Sequence, residues 1–277
     1  MKAHGSRGTG AGAGETGARP IREPYLDRTY RDAFWAPDLA FFRLKVEQTD
    51  LFIGIGDRSM DGPPSGRHLR SAEETAAAVV AECRECLETH IRVQPAFLSS
   101  LEPLAEPGAL PGLLSGMYRA ARAAGVGPMA AVAGAVAEQV GCALQARFSE
   151  VLVENGGDLW MAGTRRRIAG LFCGRSTLNG KLGLVLPADG FPLGLCTSSG
   201  TIGHSLSFGR ADAATVKAGN AYLADAVATA LGNRVRTADD IEGALAWAST
   251  VPGVTGLLVV VGDRMGAWGQ MELTLLG

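Results

Sequence analysis

The chain has no surplus of basic residues: 26 Lys and Arg stand against 28 Asp and Glu, a formal net charge of −2. A nucleic-acid binder presents a concentrated basic surface, so no nucleic-acid partner is expected. Arg165-Arg166-Arg167 is the one basic cluster, and it reads as a solvated face. No uninterrupted apolar run reaches membrane-spanning length. The first residues carry neither the apolar stretch of a secretory signal nor a lipid-attachment cysteine. The expectation is a soluble, cytoplasmic protein with no membrane partner. Five cysteines are present, an odd number that argues against a disulfide framework. Cys83 and Cys86 form a lone C-x-x-C without the second pair that a zinc site needs. A redox pair of this kind begins a helix, where the N-terminus lowers the thiol pKa. Here the pair falls within a helical pattern, so packing is its expected role. Neither Ser198 nor Ser199 lies in a G-x-S-x-G elbow, which argues against a serine hydrolase.

Glycine is abundant instead, with 38 residues in 277. Six of them fall in residues 1–20, "MKAHGSRGTGAGAGETGARP", a stretch without apolar periodicity that reads as a disordered tail. Residues 21–277 are long enough to bury a core without a metal or disulfide staple, and read as a single domain.

Residues 38–56 read as two strands turning near Gln48-Thr49-Asp50, because Phe42, Leu44 and Val46 alternate with polar neighbours. Ser71 and Glu74 form a capping box for a long helix. On that helix Val79, Val80, Cys83, Leu87 and Ile91 recur at helical spacing, with His90 as a structural neighbour. Residues 111–147 are helical and interrupted at "GVGPMA". That stretch matches a dinucleotide fingerprint in letters but follows a helix, not a strand, so a Rossmann reading is rejected. Gly125 reads as a helix C-cap and Pro128 as the start of the next helix.

From Val151 onward short strands dominate: "EVLVENGGDLWMAG" as two strands about a glycine turn, then "RIAGLFCG", "KLGLVLP" and "PLGLCTSSG". Helices follow at about 219–232 and 238–249, the second capped by Thr237. A hairpin and a final strand close the chain. Strands succeed strands without regular helical crossovers, which favours an antiparallel α+β fold.

Three segments carry candidate chemistry. On "YLADAVATAL", Asp225 and Thr229 lie four apart on one helix face, and their hard oxygens suit Mg²⁺ or Ca²⁺. In "CTSSGTIGHS", Ser198, Ser199, Gly200 and Thr201 can form an anion-binding nest with hydroxyl donors, or a turn held by local hydrogen bonds. His204 just beyond is a candidate general base. In "ENGGDLW", Asn155, Gly156, Gly157 and Asp158 let a ligand approach the backbone, or form a tight hairpin turn.

In this order, "ENGGD", "SSGTIGH" and "ADAVAT" resemble the ApbE superfamily, whose characterised members are Mg²⁺-dependent FAD:protein FMN transferases. The likeness covers about residues 125–233 and looks nearest to a short branch of that superfamily. It implies a T-fold-like α+β arrangement, an antiparallel sheet with helices packed on it. It also implies Mg²⁺ held by Asp225 and Thr229, with FAD or FMN as cofactor. Asn155, Gly156, Gly157, Asp158, Ser198, Ser199, Gly200 and Thr201 would bind that cofactor, and His204 would be catalytic. The implied activity is Mg²⁺-dependent FMN transfer or FAD pyrophosphate cleavage. The implied partners are a flavin or other nucleotide and a flavin-acceptor protein, with homo-oligomerisation left open. The family's helix motif carries Lys, Tyr and Asp where "AVAGAVAE" has Ala133, Ala135 and Glu138. A non-catalytic flavin- or nucleotide-binding module of the same fold is therefore the alternative.

Overall fold

The computed structural model describes Arg31 and residues 36–60, 62–174, 176–200 and 209–276. The glycine-rich stretch 1–20, Thr201 and His204 lie outside the described residues.

The chain opens with a hairpin of β1 (Ala40–Val46) and β2 (Thr49–Gly56). The turn is Glu47-Gln48, with Glu47 at φ 51° and Val46 paired to Thr49. Thr49 and Asp50, expected in the turn, belong to β2 instead. Helix α1 (Arg67–Val93) starts a turn earlier than the Ser71–Glu74 box, and Gly66 precedes it without a side-chain cap. Ser71 lies within the helix, where its hydroxyl accepts from Arg147 Nη1 at 2.5 Å. The box pattern fails because Ser71 serves a tertiary contact. The buried stripe of α1 runs through Ala72, Ala76, Val80, Cys83, Leu87 and His90; Cys86 packs at its edge.

A short α2 (Ala96–Ser99) leads to α3 (Gly112–Ala124). Helix α3 ends on Gly125 in the left-handed conformation, φ 71°, as its C-cap position requires. A 3₁₀ turn (Pro128–Ala131) then leads into α4 (Val132–Gln145).

The strands β3 (Glu150–Asn155), β4 (Asp158–Ala162), β5 (Arg167–Gly170), β6 (Leu182–Leu186), β7 (Leu193–Ser198) and β8 (Ala213–Ala218) follow. After β8 come α5 (Ala221–Arg234), a 3₁₀ turn (Ala238–Asp240) closed by a Thr237–Asp240 capping box, and α6 (Ile241–Ala248). The strands β9 (Val254–Val261), β10 (Arg264–Gly269) and β11 (Leu273–Leu275) close the chain.

Every strand pairing is antiparallel. Eight strands form one sheet in the order β1-β2-β3-β4-β7-β8-β9-β10, and β11-β6-β5 form a second. Alternation of side chains assigns the two faces of the large sheet. Ile53, Val153, Trp160, Val216 and Leu257 pack among the helices. Leu152, Leu159, Leu195 and Leu258 pack against the small sheet. The result is the expected α+β architecture, an antiparallel sheet with helices packed on one face. Among the described residues no single helix is long and apolar enough to cross a membrane.

The arginine run is not a uniform solvated face. Arg167 is 14% exposed and pairs with Asp38 at 2.7 Å and Glu150 at 2.8 Å. It lies on β5 beside these two carboxylates, whereas Arg166 is exposed. Cys83 and Cys86 are free thiols in the helix core, as packing requires.

Candidate functional site

The β3–β4 turn is Gly156-Gly157, with φ 71° and 103°. Two consecutive left-handed residues make the tight hairpin turn, which glycine adopts without steric cost. Asn155 and Asp158 face each other across it. The amide of Asn155 donates to the carbonyl of Ala133 at 3.1 Å, which ties the turn to the start of α4. Behind the turn, Glu154 accepts from Gly157 N at 2.8 Å through one oxygen and from Arg31 Nε at 2.7 Å through the other. Arg31 continues to Asp50 Oδ1 at 2.8 Å. This ion cluster is buried, with Asp50 and Glu154 both 0% exposed.

On the helix side, α4 and α5 cross at their first turns, and each N-terminus receives a carboxylate from the other helix. Asp225 Oδ2 accepts from Gly134 N at 2.9 Å. Glu138 Oε2 accepts from Ala221 N at 2.6 Å. A helix N-terminus has unsatisfied amides and a partial positive charge, so both contacts are favourable. The crossing is close enough to demand glycine: a Cβ on Gly134 would lie 2.3 Å from the carbonyl oxygen of Ala221.

The carboxyl of Asp158 turns into the same region, with the Cys196 thiol and the Thr197 amide as hydrogen-bond partners. Burial raises its pKa well above the usual carboxylate range, and the charge of Asp225 raises it further. Burial likewise pushes Asp225 up to about 7, against the pull of the Gly134 and Ala133 amides. The pair is a buried carboxylate, Asp225, and a half-buried one, Asp158, whose stabilising partners are neutral amides and a thiol. Like charges in low dielectric disfavour joint ionisation. Cys196 is itself pushed up by burial and by the two aspartates.

Thr229 lies one turn beyond Asp225 on α5 and is half-buried. Asp158, Asp225 and Thr229 offer the hard oxygens that Mg²⁺ takes, and a divalent cation supplies the positive charge that the carboxylate pair lacks. These are donor types that suit that ion; no cluster of three or more His, Cys, Asp or Glu is found among the described residues.

The serine–glycine segment behaves differently from a free anion nest at one position. Gly200 N donates to Ala211 O at 2.9 Å, so that amide is spent on the backbone. Ser198 is paired with Ala214 at the end of β7. Small residues here have a steric cause as well: a Cβ on Gly200 would meet Gly209 O at 2.4 Å, and one on Gly209 would meet Gly232 O at 1.8 Å. Gly200 and Gly209 thus approach each other closely, and Gly209 packs against the end of α5.

Residues 33–254 match the family model described as AbpE bacteria. The chain belongs to this family. That membership agrees with the ApbE resemblance carried by "ENGGD", "SSGTIGH" and "ADAVAT". Relatives of this AbpE bacteria chain include a UPF0280 protein of Methanosarcina barkeri, 40% identical over 206 residues, which are 74% of this chain and 79% of the relative. Another is a UPF0280 protein of Methanocaldococcus jannaschii, 36% identical over 234 residues, covering 83% and 90%. Among solved structures, the flavin transferase ApbE from Vibrio cholerae is similar at 13% identity and TM-score 0.49, over 84% of this chain and 97% of that one. The apo flavinyl transferase ApbE of Pseudomonas stutzeri is similar at 15% identity and TM-score 0.49, over 84% and 94%.

The structure brings Asn155, Asp158 and Asp225 to one region around the α4 N-terminus. Sequence reading missed Cys196 and the partnership of Gly134 with Asp225, and it noted Glu138 only as a departure from a motif. The one local signal, for Gly134 and Glu138, was a glycine and an acid four residues apart in a helix rich in alanine and valine.

Proposed function

We propose that this AbpE bacteria chain is a Mg²⁺-dependent enzyme of ApbE type that acts on the pyrophosphate of FAD. The supporting observation is the close approach of half-buried Asp158 to buried Asp225, a repulsion that a divalent cation would relieve. In this reading Asp225 and Thr229 hold Mg²⁺. Asn155, Gly156, Gly157 and Asp158 line one side of the cofactor, and Ser198, Ser199, Gly200 and Thr201 line the other. Bound Mg²⁺ would neutralise charge at the pyrophosphate. His204 accepts the proton of the attacking hydroxyl, from an acceptor protein or from water. The flavin-side phosphorus gains that oxygen and AMP leaves. Among the described partners of the site, Asn155 orients the β3–β4 turn by its bond to Ala133 O.

A second reading, a non-catalytic flavin- or nucleotide-binding module, rests on α4. Ala135 is 0% exposed, and Ala133 meets the site through its carbonyl. Neither position supplies a charge or a ring to hold a flavin.

The test is thermal denaturation with Mg²⁺ and FAD, combined with mass spectrometry of any small molecule that co-purifies. A ligand bound only by the native state raises the melting temperature by mass action. Wild type is expected to respond to Mg²⁺, and Asp225→Ala is expected to lose that response. An equal response in both proteins would remove the metal assignment. FAD binding without any turnover, with acceptor peptides supplied, would favour the module.

A further inference from the structure

We propose that the outer edge of β10 is a homodimer interface, pairing antiparallel with β10 of a second copy about a two-fold axis at Gly266. This inference is independent of the flavin reading.

Strand β10 is the last in the order of the large sheet and has no neighbour on its outer side among the described residues. Proteins protect such edges with charge, proline or bulges, because unpaired backbone groups recruit other strands. The opposite edge follows that rule: β1 carries exposed Arg43 and Lys45. The β10 edge follows it only at its first residue, Arg264, which pairs with Asp239 at 2.7 Å. Its sequence is RMGAWG, and its pairing with β9 runs from Arg264 to Gly269 without a shift. Met265 and Trp268 are 43% and 41% exposed.

The register follows from strand geometry. Val261 and Arg264 flank the two-residue turn and form a hydrogen-bonded pair. Bonded and non-bonded positions alternate along an antiparallel ladder. Arg264, Gly266 and Trp268 therefore point their backbone groups at β9, while Met265 and Ala267 point theirs outward. A two-fold axis perpendicular to the sheet keeps each side chain on its own face. Centring it on Gly266 pairs Met265 with the partner's Ala267 by two backbone hydrogen bonds, and the symmetry repeats the pair. Arg264, whose Nη1 donates to Asp239 of its own chain at 2.7 Å, then stands opposite the partner's Trp268, where its guanidinium plane can add a cation–π contact, also made twice. Both lie on the face of α6, since a Cβ on Gly266 would meet Ile241 at 2.5 Å. There a groove of about 640 Å³ runs between α6 and β10, lined by Ile241, Leu245 and Ala246. An isologous contact of this kind closes after two copies.

Sedimentation velocity of the full chain at tens of micromolar tests the proposal. Wild type is expected to be a dimer. Ala267→Pro removes a donor that faces away from β9, so it spares the intrachain ladder and is expected to be a monomer with an unchanged circular dichroism spectrum. Trp268→Lys, made separately, should weaken the dimer at least tenfold. In a Cys142→Ser background, which removes the exposed native thiol, the Met265→Cys/Ala267→Cys variant should give a disulfide-linked dimer on mild oxidation, and Cys142→Ser alone should not. A monomeric wild type overturns the proposal. So does a dimer that survives both Ala267→Pro and Trp268→Lys, or a wild type that carries a different protein on this edge.

Discussion

Asp225, in the second turn of α5, closes the N-terminus of α4 by accepting from Gly134 N at 2.9 Å. The hydrogen bond exists because residue 134 has no side chain. A methyl there would overlap the Ala221 carbonyl and crowd Asp225 Cβ at 2.9 Å. Gly134→Ala should therefore push the two helices apart. Overpacking of this kind costs about 2 kcal/mol, against the small gain alanine brings inside a helix. Chemical denaturation should show the loss. The Mg²⁺-induced rise in melting temperature should shrink with it, because Asp225 is displaced from its bond to Gly134 N. A fully stable Gly134→Ala protein would contradict the close crossing.

His204→Ala separates enzyme from binding module. A general base acts in the transition state, so its removal lowers turnover and leaves ground-state affinity nearly intact. FAD affinity in the presence of Mg²⁺ should change little. Release of AMP should fall about a hundredfold or more. Calorimetry and a discontinuous AMP assay measure the two quantities. Weak FAD binding with normal turnover per bound molecule would make His204 a binding residue instead.

Cys83 is 5% exposed, and burial pushes its thiol up to about 11. A thiol in that state is a poor nucleophile. Cys83→Ala should cost about 1–2 kcal/mol as a core truncation and leave the Mg²⁺ response unchanged. Cys86→Ala, at the edge of the stripe, should cost less. Selective loss of ligand response at full stability would point to a thiol function.

His90 supplies a pH dependence. Tyr118 donates its hydroxyl proton to Gln94 Oε1 at 2.7 Å, so His90 Nε2, 2.9 Å from that hydroxyl, is the donor to it. The ring also stands edge-on to Phe97 at 4.8 Å between centroids. Burial lowers its pKa below 6.5, so the folded state favours the neutral ring. Its contribution to stability is fully present above 6.5 and is lost as the pH falls through the lowered folded value. Urea midpoints of wild type should drop between pH 7 and pH 5 more steeply than those of His90→Gln. Parallel slopes would show that His90 carries no pH dependence.

Local chemistry determined much of this protein. Alternation along Phe42, Leu44 and Val46, and the paired glycines after Asn155, are short-range signals, and the strands and the β3–β4 turn stand where they placed them. The helical spacing of Val80, Cys83 and Leu87 likewise shows in the buried stripe of α1. The Asp225–Thr229 spacing lies on one helix for the same reason: it depends only on the period of the backbone. Where a tertiary partner competed, local reading failed. Ser71 answers to Arg147 and lies inside α1, and Arg167 answers to Asp38 and Glu150. Both aspartates were named from the sequence, but their approach to each other was not legible there. Asp158 and Asp225 belong to a strand and a helix far apart in the chain, and nothing local says that they meet. Burial raises both pKa values, and the charge of Asp225 raises that of Asp158 further; the place of Asp225 depends on how closely α4 and α5 cross. That distance is decided by Gly134, whose missing side chain acts only once the second helix is present.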